Sequence, residues 1–260
     1  MGYKVFFFES ILEKDIYFAG SHQRRAWELE QMFQKKYVTA ILCARGGYGA
    51  NYLLPHINLE IIRANPKMFV GYSDVTSLLT YFCDHADLVT YHGPMVAKDY
   101  AAANGLLPPL LADGFSISHE STIPQPCIGS AESVLYGGCL SMLAASLGTP
   151  YEIQTEGAIL FLEDVAAKPF QIDRMMMQLK YAGKLANVRG IVFGEMVDCV
   201  QPGGQDYSLQ EVLMRIVGDL DVPIGFGLRS GHVSSQPNLT LPIGMNVRLE
   251  VTDKHITITA

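Results

Sequence analysis

The chain has 260 residues, is 49% hydrophobic and 17% charged, and carries a formal net charge of −7. That length suits one large domain or two modest ones, and that apolar content can bury a sizeable core, which excludes a disordered chain. The acidic balance argues against non-specific nucleic-acid binding, which needs basic patches that displace counterions.

No apolar run approaches the ~20 residues that a bilayer span needs, so no membrane association is expected. The opening "MGYKVFFFES" lacks the longer apolar stretch and cleavage site of a signal peptide. Position 6 is Phe rather than the Ser or Thr of a myristoylation pattern. The five cysteines, Cys43, Cys83, Cys127, Cys139 and Cys199, are odd in number and show no C-x-x-C spacing. Free thiols in a reducing cytoplasm are therefore expected, with no disulfide framework, zinc site or other metal.

In chain order, residues 3–8 read as a strand. "SHQRRAWELEQMFQKK", 21–36, reads as a helix that Ser21 can cap, with Ala26, Leu29, Met32 and Phe33 at helical spacing. "VTAILCA", 38–44, reads as a buried strand, and "RGGYGAN", 45–51, as a Gly-rich turn. Apolar residues from Leu53 to Ile62 follow around Pro55. "KMFVGYS" is the next strand and its turn, leading to a helix that ends near residue 84. "LVTYHGP", 88–94, is a further short strand. Strands alternating with helices imply a parallel sheet with covered faces.

From residue 99 the texture becomes rich in Ala, Pro, Gly and Ser, and a domain boundary is expected near residue 115. Beyond it, strands are expected at 158–164, 190–196, 246–252 and 255–260, and helices at about 138–147, 171–182 and 208–218. The expected fold is α/β: an N-terminal parallel-sheet domain over 1–115 and a mixed, more β-rich domain over 116–260.

"FVGYSDVTSLL", 69–79, carries the most chemistry. A Ser at a strand-to-helix bend, Ser73, lies near the free N–H groups and positive dipole end of the helix. It can cap that helix, or it can be a nucleophile of the elbow type, with the next N–H facing an oxyanion. A Ser nucleophile needs a base, and the base an orienting acid. His232, in the loop "LRSGHVSSQPN", and Glu163 or Asp164, at the end of "ILFLEDV", would give the chain order Ser, acid, His. His92, beside Gly93-Pro94, is the main rival base, and His22, His56, His85, His119 and His255 also compete. Spacing does not decide among them. The Gly turn 45–51 exposes backbone N–H groups that suit an oxyanion, or is a plain turn. Its Gly-Gly-Tyr-Gly order is not a G-x-G-x-x-G dinucleotide fingerprint.

Eight segments, "ARGGYGANYLLP", "PKMFVGYSDVTSLL", "HGPM", "YGGCLSMLAASLGTPY", "ILFLEDV", "IDRMMMQLKYAGKL", "GIVFGEMVDC" and "GHVSSQPNLTLPIG", resemble in order the motifs of the LD-carboxypeptidase family. These are metal-free serine peptidases of murein recycling, also called muramoyltetrapeptide carboxypeptidases (peptidase family S66). The similarity runs from Tyr3 nearly to the C-terminus. It implies Ser73 as nucleophile, Glu163 as acid and His232 as base, with oxyanion donors at the backbone N–H groups of Asp74 and Gly47. It further implies a Rossmann-like first domain, a site between the two domains, a homodimer, no cofactor, and a murein tetrapeptide as substrate. Arg45, Arg174 and Arg229 are candidates to hold the terminal carboxylate.

Two departures from the family pattern stand out. Family members usually begin with a further strand and helix before the "GYKV" segment. The family's Gly-Gly-Asn is also Gly137-Gly138-Cys139 here, and a thiol cannot replace both roles of an amide. Two other functions stay open: cleavage of a peptide-nucleotide antibiotic, as in some relatives that stack the base on Trp (here only Trp27), or peptide binding without turnover.

Overall fold

The computed structural model describes residues 4–97, 115–121, 123–235 and 237–260. Two sheets organise it. The first has the order β1-β2-β3-β9, from Ala40–Leu42, Met68–Gly71, Thr90–His92 and Leu241–Ile243. β1, β2 and β3 run parallel, with Ala40 opposite Met68 and Val70 opposite Tyr91, and β9 joins antiparallel, with Thr90 opposite Ile243. The second half of the chain thus supplies a strand to the first sheet. Helices α1 (His22–Gln34), α2 (Leu59–Ala64) and α3 (Thr76–Ala86) belong to this layer. Ser21 caps α1 by accepting the Arg24 N–H at 3.4 Å. The rings of Phe33, Phe69 and Phe82 pack 5.3–6.1 Å apart and join α1 and α3 to β2.

The second sheet has seven strands, in the order β4-β11-β10-β5-β6-β7-β8. They span Ser116–Glu120 (β4), Gly129–Cys139 (β5), Ile159–Glu163 (β6), Gly190–Gly194 (β7), Ile224–Leu228 (β8), Asn246–Val251 (β10) and His255–Thr259 (β11). β5 is the pivot. Its first half pairs antiparallel with β10, and its second half, from Leu135 to Cys139, pairs parallel with β6. β6 and β7 are buried along their whole length, as parallel strands covered on both faces must be. Each apolar side chain of Ile159, Leu160, Phe161 and Leu162 is fully buried, which stabilises the fold by about 1.5–3 kcal/mol apiece. Helices α4 (Leu140–Ser146), α5 (Pro169–Tyr181) and α6 (Leu209–Val217) complete this half.

The expected α/β class with two sheet-centred halves is what the chain adopts. The strand expected over residues 3–8 is not. Among the described residues, 4–8 pair with no strand and lead into a short 3-10 turn, Glu9–Leu12, while Tyr3 lies outside the described residues. Their aromatic rings pack on α1 and the segment following it: Phe8 lies 6.0 Å from Trp27, and Phe6 meets Tyr37 edge-on at 5.9 Å. An apolar run of that length is satisfied by a helix face as well as by a sheet. Four strands were not expected: β4, β5, β8 and β9. The helix foreseen from about 138 begins at Leu140, because Gly137 and Gly138 continue β5. The boundary near residue 115 falls at the edge of residues 98–114, which lie outside the described set.

Candidate active site

The carboxyl ends of the parallel strands in both sheets converge, where open α/β sheets place their ligands. Gly71 ends β2 just before Ser73, His92 ends β3, Cys139 ends β5 and Glu163 ends β6. His232 follows β8 by four residues.

Ser73 does not cap the helix. Its backbone is in the left-handed region, with φ +63°, a conformation that strains a side-chain-bearing residue by about 1–3 kcal/mol. The 3-10 turn Ser73–Val75 and then α3 follow, and neither start carries a side-chain cap. The strained bend holds the hydroxyl at the strand-to-helix corner, as an elbow requires.

The Gly turn lies directly against this hydroxyl. A Cβ on Gly46 would stand 2.8 Å from Ser73 Cβ and 3.0 Å from its Oγ, so only glycine permits the approach. Two side chains clamp the turn. Asp74 Oδ2 accepts the Ala50 N–H at 2.8 Å, and Arg25 donates to the Gly49 carbonyl at 2.6 Å. Burial raises the Asp74 pKa, with the backbone N–H groups of Ala50 and Gly49 and the Arg25 charge acting against it. The clamping role of the Asp74 side chain was not anticipated; a carboxylate directly after the Ser was the available signal.

Glu163 is fully buried. Its Oε2 accepts the backbone N–H of His232 at 3.0 Å and lies 2.8 Å from His232 Nδ1. An ionised carboxylate only accepts, so Nδ1 carries the proton and Nε2 is left as the basic nitrogen. Burial on its own would raise the Glu163 pKa, but His232 and His92 outweigh it and bring the group down to about 2. His232 is held in turn by its loop. Asn238 accepts the Gly231 N–H and donates to the Gly231 carbonyl, both at 2.9 Å. The His232 ring stands edge-on to Tyr72, 5.0 Å between centroids, and Tyr72 immediately precedes Ser73.

The other expected candidates take separate places. Asp164 is engaged at α4: its Oδ2 accepts the Ser141 N–H at 2.8 Å and the Ser141 hydroxyl, anchoring the start of that helix. Gly47, with φ +109°, and the exposed Arg45 lie on the Gly turn. Arg229 pairs with Glu195 at 3.3 Å, and Glu195 also accepts the Ser234 N–H at 2.7 Å, which braces the His232 loop. Arg174 is exposed on α5, with its guanidinium 5.6 Å from the Phe170 ring centre. Cys139 is buried, and its thiol pKa is pushed well up by burial and by Glu163 and Asp164, so it stays a neutral thiol. Its backbone N–H donates to Thr76 Oγ1 at 3.1 Å, tying β5 to the first turn of α3. All five cysteines are free. Among the described residues no helix is long and apolar enough to cross a membrane.

Comparison with known proteins gives these features a context. Residues 1–93 match the LD-carboxypeptidase N-terminal domain, and residues 132–249 match the LD-carboxypeptidase C-terminal domain. A probable murein peptide carboxypeptidase of Bacillus subtilis is 36% identical over 255 residues, covering 94% of this chain and 79% of that protein. The crystal structure of a muramoyltetrapeptide carboxypeptidase from Oxalobacter formigenes superposes with a TM-score of 0.86 at 25% identity, covering 99% of this chain and 89% of that one. The microcin C7 self-immunity protein MccF of Escherichia coli is 28% identical over 282 residues, covering 94% of this chain and 80% of that protein.

Proposed function

The chain belongs to the LD-carboxypeptidase family, and from that premise we propose that it hydrolyses the L,D bond releasing terminal D-alanine from murein tetrapeptides. The observation that supports the mechanism is the buried Glu163 carboxylate on His232 Nδ1 at 2.8 Å, with the His232 ring 5.0 Å from that of Tyr72, the residue before the strained Ser73. Ser73 Oγ attacks the carbonyl of the L-centre, and His232 Nε2 takes its proton. Glu163 holds the imidazole in the required tautomer and stabilises the imidazolium. The N–H groups of Asp74 and Gly47 face the tetrahedral oxyanion. His232 returns the proton to the departing D-alanine amine, and water then hydrolyses the acyl-enzyme by the same route. Arg45 is the best placed of the three arginines for the terminal carboxylate: it lies on the turn that abuts Ser73, whereas Arg229 is engaged by Glu195.

A cytoplasmic, murein-recycling role and a homodimer complete the proposal. The five free thiols support the reducing compartment, and sedimentation velocity tests the dimer. The substrate is tested with a panel of an L,D tetrapeptide, a D,D pentapeptide and a peptide-adenylate. Turnover of the tetrapeptide alone supports the proposal. Turnover of the peptide-adenylate alone assigns the chain to the immunity type instead. Trp27 on α1 does not support that second assignment, since its ring packs beside Phe8.

A further inference from the structure

Glu163 has two imidazole neighbours, and only one of them belongs to the proposed triad. His92, at the end of β3, is as fully buried as Glu163 itself. Its Nε2 stands 3.6 Å from Glu163 Oε1, the carboxylate oxygen that His232 does not use. Its Nδ1 lies 3.2 Å from the hydroxyl of the buried Ser230. Phe161 meets the ring edge-on at 5.0 Å, and a Cβ on Gly231 would sit 2.6 Å from Glu163 Cδ and 2.7 Å from His92 Cε1. The enclosure has no room for another group between imidazole and carboxylate. Neither His92 Nε2 nor Glu163 Oε1 makes a hydrogen bond among the described residues. Two buried polar atoms are therefore left to each other.

The proton positions follow from chemistry. A carboxylate only accepts, so the nitrogen facing it carries the proton, and Nδ1 is then the acceptor for the Ser230 hydroxyl. Ser230 donates to His92, His92 points its N–H at one oxygen of Glu163, and His232 donates to the other. A separation of 3.6 Å is too long for a hydrogen bond at rest. Contacts in a free active site are often long and tighten in the substrate complex.

We propose that His92 is a positioning residue. It fixes the second oxygen of Glu163, and through it the tautomer and ring orientation of His232, while Ser230 holds the opposite edge of the His92 ring. The kinetic consequence rests on the function proposed above; the tautomer assignment does not.

The test uses His92→Leu, His92→Gln and Ser230→Ala in the full chain. Long-range 1H–15N spectra report the histidine tautomers, and D-alanine release from a murein tetrapeptide reports kcat and KM. His92→Leu is expected to lower kcat about 10–100-fold with KM nearly unchanged, because it weakens the orienting role of Glu163 without removing it. The His232 Nδ1 proton signal should broaden or shift with it. His92→Gln, whose amide can donate to Oε1, should recover most of both. A folded His92→Leu with unchanged kcat and unchanged His232 spectra overturns the proposal. So does equal loss in His92→Leu and His92→Gln with unchanged His232 spectra. If His92→Leu does not fold, Ser230→Ala decides: with its anchor at Nδ1 removed the His92 ring signals should shift, and those of His232 with them, and unaltered spectra of both histidines overturn the proposal. If the wild type releases no D-alanine, the function fails while the spectra still decide the role of His92.

Discussion

Replacing Glu163 by Gln removes the charge that orients His232 while keeping the side chain's size. The carboxylate is fully buried, and its Oε2 accepts from the His232 backbone at 3.0 Å and lies 2.8 Å from the ring nitrogen. Burial opposes ionisation, but the two imidazoles prevail and bring its pKa from 4.5 to about 2. That fall corresponds to about 3 kcal/mol in favour of the ionised, folded form. Because the folded pKa is the lower one, this stability is fully present above about pH 4.5 and is lost as pH falls toward about pH 2. An amide does not titrate. The stability difference between wild type and Glu163→Gln should therefore be largest near about pH 7 and shrink by about 3 kcal/mol on acidification. The other carboxylates are common to both proteins and cancel in that difference. The amide can also present a donor to Nδ1, which favours the wrong tautomer, so kcat should fall by about 10⁴-fold. Urea unfolding of both proteins across that pH range is the assay. A difference that stays constant with pH would refute the assigned charge state of Glu163.

Two further substitutions separate strain and anchoring from chemistry. Ser73→Gly relieves the left-handed backbone at φ +63° and should raise stability by about 1 kcal/mol while abolishing turnover. Ser73→Ala should abolish turnover without that gain, and thermal unfolding of the two side by side checks it. Asp164→Ala removes the acceptor that Ser141 uses at the start of α4. It should cost about 1–2 kcal/mol, as helix caps do, and leave kcat within a few-fold of wild type. A loss of kcat as large as that of Glu163→Gln would move the acid from Glu163 to its neighbour.

Much of this arrangement was legible in the sequence, and the failures have physical causes. The strand-turn-helix around Ser73 could be read from "FVGYSDVT", since an apolar run, a Gly and a polar bend precede an apolar helix. Whether the hydroxyl caps that helix could not, because capping depends on a backbone angle that Ser, unlike Gly, does not advertise. His92 and His232 competed on spacing, and the structure places both on Glu163, one at each oxygen. Such a convergence arises from two sheets meeting at their carboxyl ends and leaves no trace in sequence separation. The unexpected strands share a disguise. β8 reads Ile-Gly-Phe-Gly-Leu and β9 contains Pro242, residues that mark loops unless neighbouring strands supply the pairing. β5 begins in Gly- and Ser-rich sequence and is held as a strand by partners on both sides. The error at residues 4–8 is the converse, an apolar run that joins no strand among the described residues.

The most direct test is D-alanine release from a murein tetrapeptide by wild type and by Ser73→Ala, both verified as folded. The account predicts steady release by the wild type and none above background from the variant. Undiminished release by Ser73→Ala would contradict it, since no other group in the proposed mechanism can form the acyl-enzyme.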